Sequence, residues 1–293
     1  MKKRVAYFVI DGKQFGGKNE LPLNITFDIS YMGNSLVPLD AKFTIDNLKA
    51  DDVAYISTNT ALFQNRRRKI EFYCGYEGHV RRLFDGEILE AVPHGQPDTS
   101  LEIKAWTSIY SMGKKIKITG KNVKLLELLR DAVKENGYEL DCPATLQNSS
   151  QLQKVISDFS FTGSAMEYLF YIIRAITGSV IVKDQIMFII QNQMVSVAWA
   201  TKKNKTPNTN MLNTNVQINA STGMIGIPEP TQCGVNIRTI LDVSLNVGQT
   251  IDFLSSKIPI YNGEYNIYGL NYHGCTRSND YYNDLICLRV MES

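Results

Sequence analysis

Residues 221–242 read STGMIGIPEPTQCGVNIRTILD, residues 244–256 read SLNVGQTIDFLSS, and residues 262–290 read NGEYNIYGLNYHGCTRSNDYYNDLICLRV. Short runs rich in Ile, Val, Leu and Tyr alternate with Gly, Pro and Asn turns, and no long helical period interrupts them, so this closing third predicts a series of strands. It holds no constellation of acids, bases or metal ligands. Such a stretch points to assembly by strand pairing rather than to chemistry. Pro228 and Pro230 fall in one run, and proline cannot donate to a central ladder, so Ile225–Pro230 predicts an edge strand or an extended arm.

The same texture opens the chain. Strands are expected at Val5–Asp11, Asn24–Tyr31, Ala41–Asn47, Lys69–Tyr76, Arg82–Val92 and Ser100–Thr107. Lys42-Phe43-Thr44-Ile45-Asp46 and Leu101-Glu102-Ile103-Lys104-Ala105-Trp106 alternate as half-buried strands do. Turns are expected at Asp11-Gly12, Gly16-Gly17, Gly33-Asn34, Glu77-Gly78 and His94–Asp98, and a short helix over Lys49–Tyr55.

Between these regions the pattern changes. Lys121–Asn136, KNVKLLELLRDAVKEN, predicts an amphipathic helix that ends at Gly137. Ser164–Thr177, SAMEYLFYIIRAIT, predicts a second helix with Ser164 as N-cap, Glu167 completing a capping box and Gly178 as stop; its near-continuous apolar content implies deep burial. Strands Ser179–Val182 and Gln185–Ile190, joined at Lys183-Asp184, follow. Residues 201–215, polar and aperiodic, read as a linker. The expected fold is therefore mainly β with an α+β insert, divided at 1–110, 111–200 and 201–293.

Bulk composition excludes several classes. Of 293 residues 44% are hydrophobic and 20% charged, enough for ordinary globular cores, and the net charge of +2 offers no concentrated basic field for nucleic acid. Five cysteines without a CxxC pair read as reduced thiols. The apolar run Val5–Ile10 is too short for a signal peptide or a membrane span.

Candidate chemistry is sparse. His79 has Arg81 and Arg82 nearby but no orienting carboxylate. His94 with Asp98 brackets a turn. His273 with Cys275 supplies two metal-ligand types where four are usual. Glu87 with Glu90, or Asp280 with Asp284, could be drawn as a glycosidase pair, but no cleft is legible. The tyrosines Tyr261, Tyr265, Tyr268, Tyr272, Tyr281 and Tyr282 suit strand faces and subunit contacts. Arg66-Arg67-Arg68-Lys69 reads as a solvated loop, as a contact to a neighbouring subunit's acidic patch, or as a DNA contact. No catalytic, cofactor or metal residue is assigned.

One internal echo stands out. Phe84–Ile88, His94-Gly95, Asp98 and Leu101–Ile103 are matched in kind and order by Ile267–Leu270, His273-Gly274, Asp280 and Leu285–Leu288. Each is a glycine-bearing strand, a His-Gly turn, an acid and a closing strand.

These residues resemble a known family. An alternating strand ending in Asn47-Leu48, the Gly75-Tyr76-Glu77-Gly78 turn, the Phe84-Asp85-Gly86-Glu87-Ile88 strand and the stretch Thr222–Asp242 resemble, in that order, baseplate hub proteins of contractile-tailed bacteriophages. The resemblance implies two tube-like β-barrel domains flanking a small α+β domain. It implies a homotrimer whose six tube-like domains form a ring, adapting the sixfold tail tube to a threefold central spike. DNA would pass through the channel without specific binding. The implied partners are the tail tube protein, the central spike protein and other baseplate proteins, in a virion assembled in the host cytoplasm. Arg66, Arg67, Arg68, Pro228 and Pro230 are then the subunit-interface candidates. A spike-base protein of a related injection or secretion machine and a hub-associated cell-wall hydrolase are the competing readings.

Overall fold

The structure, a computed structural model, describes residues 3–17, 23–32, 40–57, 67–95, 99–107, 115–136, 138–142, 144–176, 180–182, 186–190, 193–199, 216–247 and 249–289. Arg66, Asp98, Gly137, Gly178, the turns at Gly33-Asn34 and Lys183-Asp184, and the linker 201–215 lie outside the described residues.

The opening segment forms β1 (Arg4–Ile10), β2 (Lys13–Phe15), β3 (Asn24–Met32), β4 (Asp40–Asp46), α1 (Ala50–Ser57), β5 (Lys69–Tyr76), β6 (His79–His94) and β7 (Ser100–Thr107). The middle segment forms β8 (Lys115–Lys124), α2 (Leu125–Glu135), β9 (Tyr138–Asp141), the single turn α3 (Ala144–Gln147), β10 (Val155–Ser164), α4 (Ala165–Ile176), β11 (Val180–Val182), β12 (Ile186–Ile190) and β13 (Gln193–Trp199). The closing segment forms β14 (Val216–Ile218), β15 (Met224–Pro230), β16 (Gly234–Ile240), β17 (Thr250–Phe253), β18 (Gly263–Cys275) and β19 (Tyr281–Arg289). The fold is mainly β, and no helix among the described residues is long and apolar enough to cross a membrane.

Two compact units result. The first takes the opening and closing segments together, and the second takes the middle segment.

The first unit is built on one 13-stranded sheet, ordered β15-β16-β19-β18-β3-β4-β7-β6-β5-β1-β2, with β17 added on β18 and β14 parallel to β17. The join between opening and closing segments is the antiparallel β18–β3 ladder, which runs from Gly269 opposite Met32 to Cys275 opposite Thr26. Period-2 patterning explains why these segments are strands: Ile25, Phe27, Ile29 and Tyr31 are buried while Thr26 and Asp28 face out. The inward faces meet in an aromatic core. Phe8, Phe27, Phe43, Phe72 and Phe84 contact one another with ring centroids 4.8–5.8 Å apart.

Phe27 on β3 touches Phe72 on β5, four strands further along the ladder, so the sheet folds back over its own face. Tyr281 on β19 completes that closure. Its hydroxyl donates to the Gly75 carbonyl at 2.9 Å and accepts the Gly75 N–H at 3.2 Å. Gly75 has φ +146°, and a Cβ there would lie 2.2 Å from the His79 carbonyl oxygen, so only glycine admits this approach. Arg4 lies over the Tyr281 ring at 4.6 Å and donates to the Cys275 and Ser278 carbonyls. Among the described residues no ladder closes into a barrel. The two echo segments are both long antiparallel hairpins, β6–β7 and β18–β19, each with a register shift in the first strand.

In the second unit, β8 and β10 form a two-stranded ribbon, and β11-β12-β13-β9 a four-stranded sheet. Helices α2 and α4 pack together and bury Leu125, Leu129, Val133, Tyr168, Leu169 and Ile173. Asn136 ties them by donating to the Ala132 and Ala165 carbonyls at 2.8 and 2.7 Å. The capping box is present: the Ser164 N–H donates to Glu167 Oε2 at 2.7 Å and the Glu167 N–H to Ser164 Oγ at 3.2 Å. Helix α4 is less enclosed than its composition implies, since Tyr171 is exposed. The expected helix start at Lys121 is corrected. Lys121–Lys124 finish β8, paired from Asp158 to Val155, because the ladder satisfies their backbone groups and the helix begins only at Leu125. Strands β8, β9, β10 and β13 had no distinct sequence signal.

Candidate subunit interface

Open strand edges mark the first unit; β15 and β2 end the sheet among the described residues. Strand β15 has β16 as its one neighbour among the described residues. Its register runs Met224 opposite Thr239 and Ile225 opposite Arg238, then resumes with Glu229 opposite Asn236. Gly226, Ile227 and Pro228 therefore oppose Ile237 alone, a bulge of two extra residues. Gly226, at φ +77°, supplies the left-handed backbone it needs. Ile227 stands 59% exposed, and Ile225 and Ile240 are exposed beside it. Pro228 is buried within its own chain and Pro230 is exposed. The Thr231 N–H donates to the Gly234 carbonyl at 2.9 Å, so the alternating position, Pro230, turns its nitrogen away from β16. The outer edge thus lacks a donor there, and its contact surface is made of side chains.

The tail of β6 is a further open edge among the described residues. Glu87 is its last residue paired with β5, and the Ile88 N–H donates to the Arg68 carbonyl at 2.9 Å. From Glu90 to His94 the strand pairs with β7 alone among the described residues, and Val92 is exposed.

The arginine run is placed differently from a free cationic loop. Arg67 lies over the Trp106 ring at 5.3 Å. Arg68 pairs with Asp11 at 3.0 Å and covers the Tyr55 ring at 4.1 Å, while Asp11 also accepts the Lys69 N–H. Both cations are engaged inside their own chain.

The other candidates also have partners within the chain. His94 faces Glu102 at 3.6 Å. His273 lies between Asp28 at 3.3 Å and Asp284 at 3.8 Å, and Asp284 is clamped by Arg238 at 2.7 Å. Glu90 pairs with Lys104 at 3.0 Å, while burial pushes the Glu87 carboxyl up against the pull of Arg67 and Lys69. Among the described residues no group of three His, Cys, Asp or Glu side chains is arranged to hold a metal ion. Two of these tyrosines act as buried struts: Tyr272 donates to the Leu245 carbonyl at 2.7 Å and Tyr265 to the Tyr261 carbonyl at 2.6 Å. None of the five cysteines is in a disulfide. The isoleucine flank escaped the sequence reading. Its one signal is Ile-Gly-Ile-Pro, where glycine inside a strand pattern marks a bulge.

A family model described as baseplate hub gp41 matches residues 7–287. The chain belongs to this family. Its place is therefore the phage tail baseplate, in a structural role. Solved structures agree in fold. A tail protein from Neisseria meningitidis MC58 superposes with a TM-score of 0.56 at 7% identity, covering 98% of this chain and 97% of that one. The 43 kDa tail protein of prophage MuSo2 from Shewanella oneidensis gives 0.56 at 8% identity, with 98% of each chain covered. An Escherichia coli component of the type VI secretion system, described as similar to bacteriophage T4 tail proteins gp27 and gp5, gives 0.55 at 10% identity, covering 97% of this chain and 77% of that one. No curated protein matches. At such identities the likeness is one of fold.

Proposed function

We propose that this hub is a non-enzymatic homotrimer. Three copies form a ring that adapts the sixfold tube of a contractile tail to a threefold central spike and lines the channel used in DNA ejection. Residues 1–110 and 201–293 supply the two tube-like domains of each copy, and 111–200 the insert. The tail tube protein, the central spike protein and neighbouring baseplate proteins are its partners, joined during assembly in the host cytoplasm.

The observation that carries this reading is the β18–β3 ladder, which makes opening and closing segments one continuous sheet with an open edge at β15 and another at the β6 tail. Different open edges on one subunit favour head-to-tail contacts, which form a ring where the rotation between copies closes. The isoleucine flank with Pro228 and Pro230 would meet the β6-tail side of the next copy, with Arg66, Arg67 and Arg68 close to that seam. The engaged carboxylates support the non-enzymatic role. Image reconstruction of purified tails tests the proposal. Three copies around an axial pore are expected; a single copy, or a ring of another order, would refute it.

A further inference from the structure

The net charge of +2 conceals a division. Of the 31 basic and 29 acidic residues, 18 and 21 fall in the first unit, and 13 and 8 in the second. The excess positive charge has a local focus on the β8–β10 ribbon. Lys115, Lys117, Thr119 and Lys121 share its exposed face, directly opposite Ser164, Thr162, Ser160 and Asp158. The other face carries Ile116, Phe159 and Phe161; both rings pack on Tyr168 of α4, at 5.7 and 5.2 Å. Alternate strand residues lie about 6.6 Å apart, so the three ammonium groups form a row about 20 Å long.

On the outer face of the first unit's sheet the charges are paired within the chain, as where Arg238 meets Asp284 and Lys104 meets Glu90. On the ribbon none of the three lysines has a carboxylate partner among the described residues. We infer that this lysine–hydroxyl face docks on a carboxylate-bearing surface of a neighbouring baseplate protein. Asp158, set opposite Lys121, decides between classes of partner. A uniform phosphate polymer laid along the row would meet that carboxylate, whereas a protein surface of mixed sign can seat it. Lysine point charges also steer an acidic partner without requiring the planar match that arginine makes. The inference rests on family membership and not on the ring.

The test replaces Lys115, Lys117 and Lys121 together by Gln, and separately by Arg, in the phage, and counts hub copies per purified tail by quantitative mass spectrometry. The Gln triple is expected to lower hub incorporation by roughly threefold or more, and the Arg triple to preserve it. Thermal midpoints of both purified variants check that folding is intact. A second arm measures binding of the purified chain to a ~20-bp DNA duplex at ~100 mM salt, where no lysine-dependent binding is expected. Normal incorporation of a folded Gln triple overturns the inference, and so does duplex binding that the Gln triple abolishes. Native mass of the purified chain reports on the ring separately.

Discussion

Replacing Tyr281 by Phe tests how the sheet is held folded over itself. The ring stays in place between Arg4, Phe27 and Tyr76, so the change removes one hydroxyl and little else. That hydroxyl serves both the N–H and the C=O of Gly75. Each buried backbone group left without its partner costs roughly 1–3 kcal/mol, so the pair should cost about 3 kcal/mol. For a domain of this size each kcal/mol moves the melting temperature by about 2–4 °C, which gives a fall of about 6–12 °C. Tyr272→Phe provides the internal reference, because its hydroxyl serves one carbonyl, that of Leu245, and should cost about half as much. Urea unfolding and calorimetry of both variants measure the two losses. A Tyr281→Phe loss below ~0.5 kcal/mol, or one no larger than that of Tyr272→Phe, would show that the hydroxyl does not fasten the two layers.

Other outcomes follow from the same contacts. Burial raises the pKa of the Tyr272 and Tyr281 hydroxyls and pushes the Cys287 thiol up to about 12. The unfolded chain gives up these protons near pH 9 to 10 while the folded chain keeps them, so the stability they contribute is present below pH 9 and lost above it. The urea midpoint should fall between pH 8 and 11, as a series of urea titrations would show, and a flat profile would contradict the burial. Ser164→Ala should destabilise the second unit by about 1 kcal/mol through loss of the cap, read as faster amide exchange in α4. Ile225→Asp with Ile227→Asp should leave the monomer folded, as both side chains are exposed, yet prevent ring formation by native mass measurement; a ring that persists would remove β15 from the interface.

Much of the fold was legible in short-range patterns. The alternation Phe43, Ile45 and Leu101, Ile103, Ala105 marked β4 and β7, because a strand places every second side chain on one face whatever lies across from it. Strands β5 and β7 start and end where their turns implied. The capping box at Ser164 and Glu167 was readable because both partners lie within one helical turn. Lys121–Lys124 misled because the helical stripe continues through them, while their pairing partners, Val155–Asp158, sit more than thirty residues on. The arginine run looked free because Asp11 and Tyr55, which engage Arg68, are remote in sequence.

The sequence by itself determined that this chain is a β protein with a helical insert, and which face of each early strand is apolar, since those properties depend on neighbours two to four residues apart. The tertiary structure alone decided that first and last segments share one sheet, that Tyr281 fastens to Gly75 across 206 residues, and that three isoleucines remain uncovered at its edge. Those outcomes depend on which strands meet after long loops close, and many pairings bury the same apolar faces equally well.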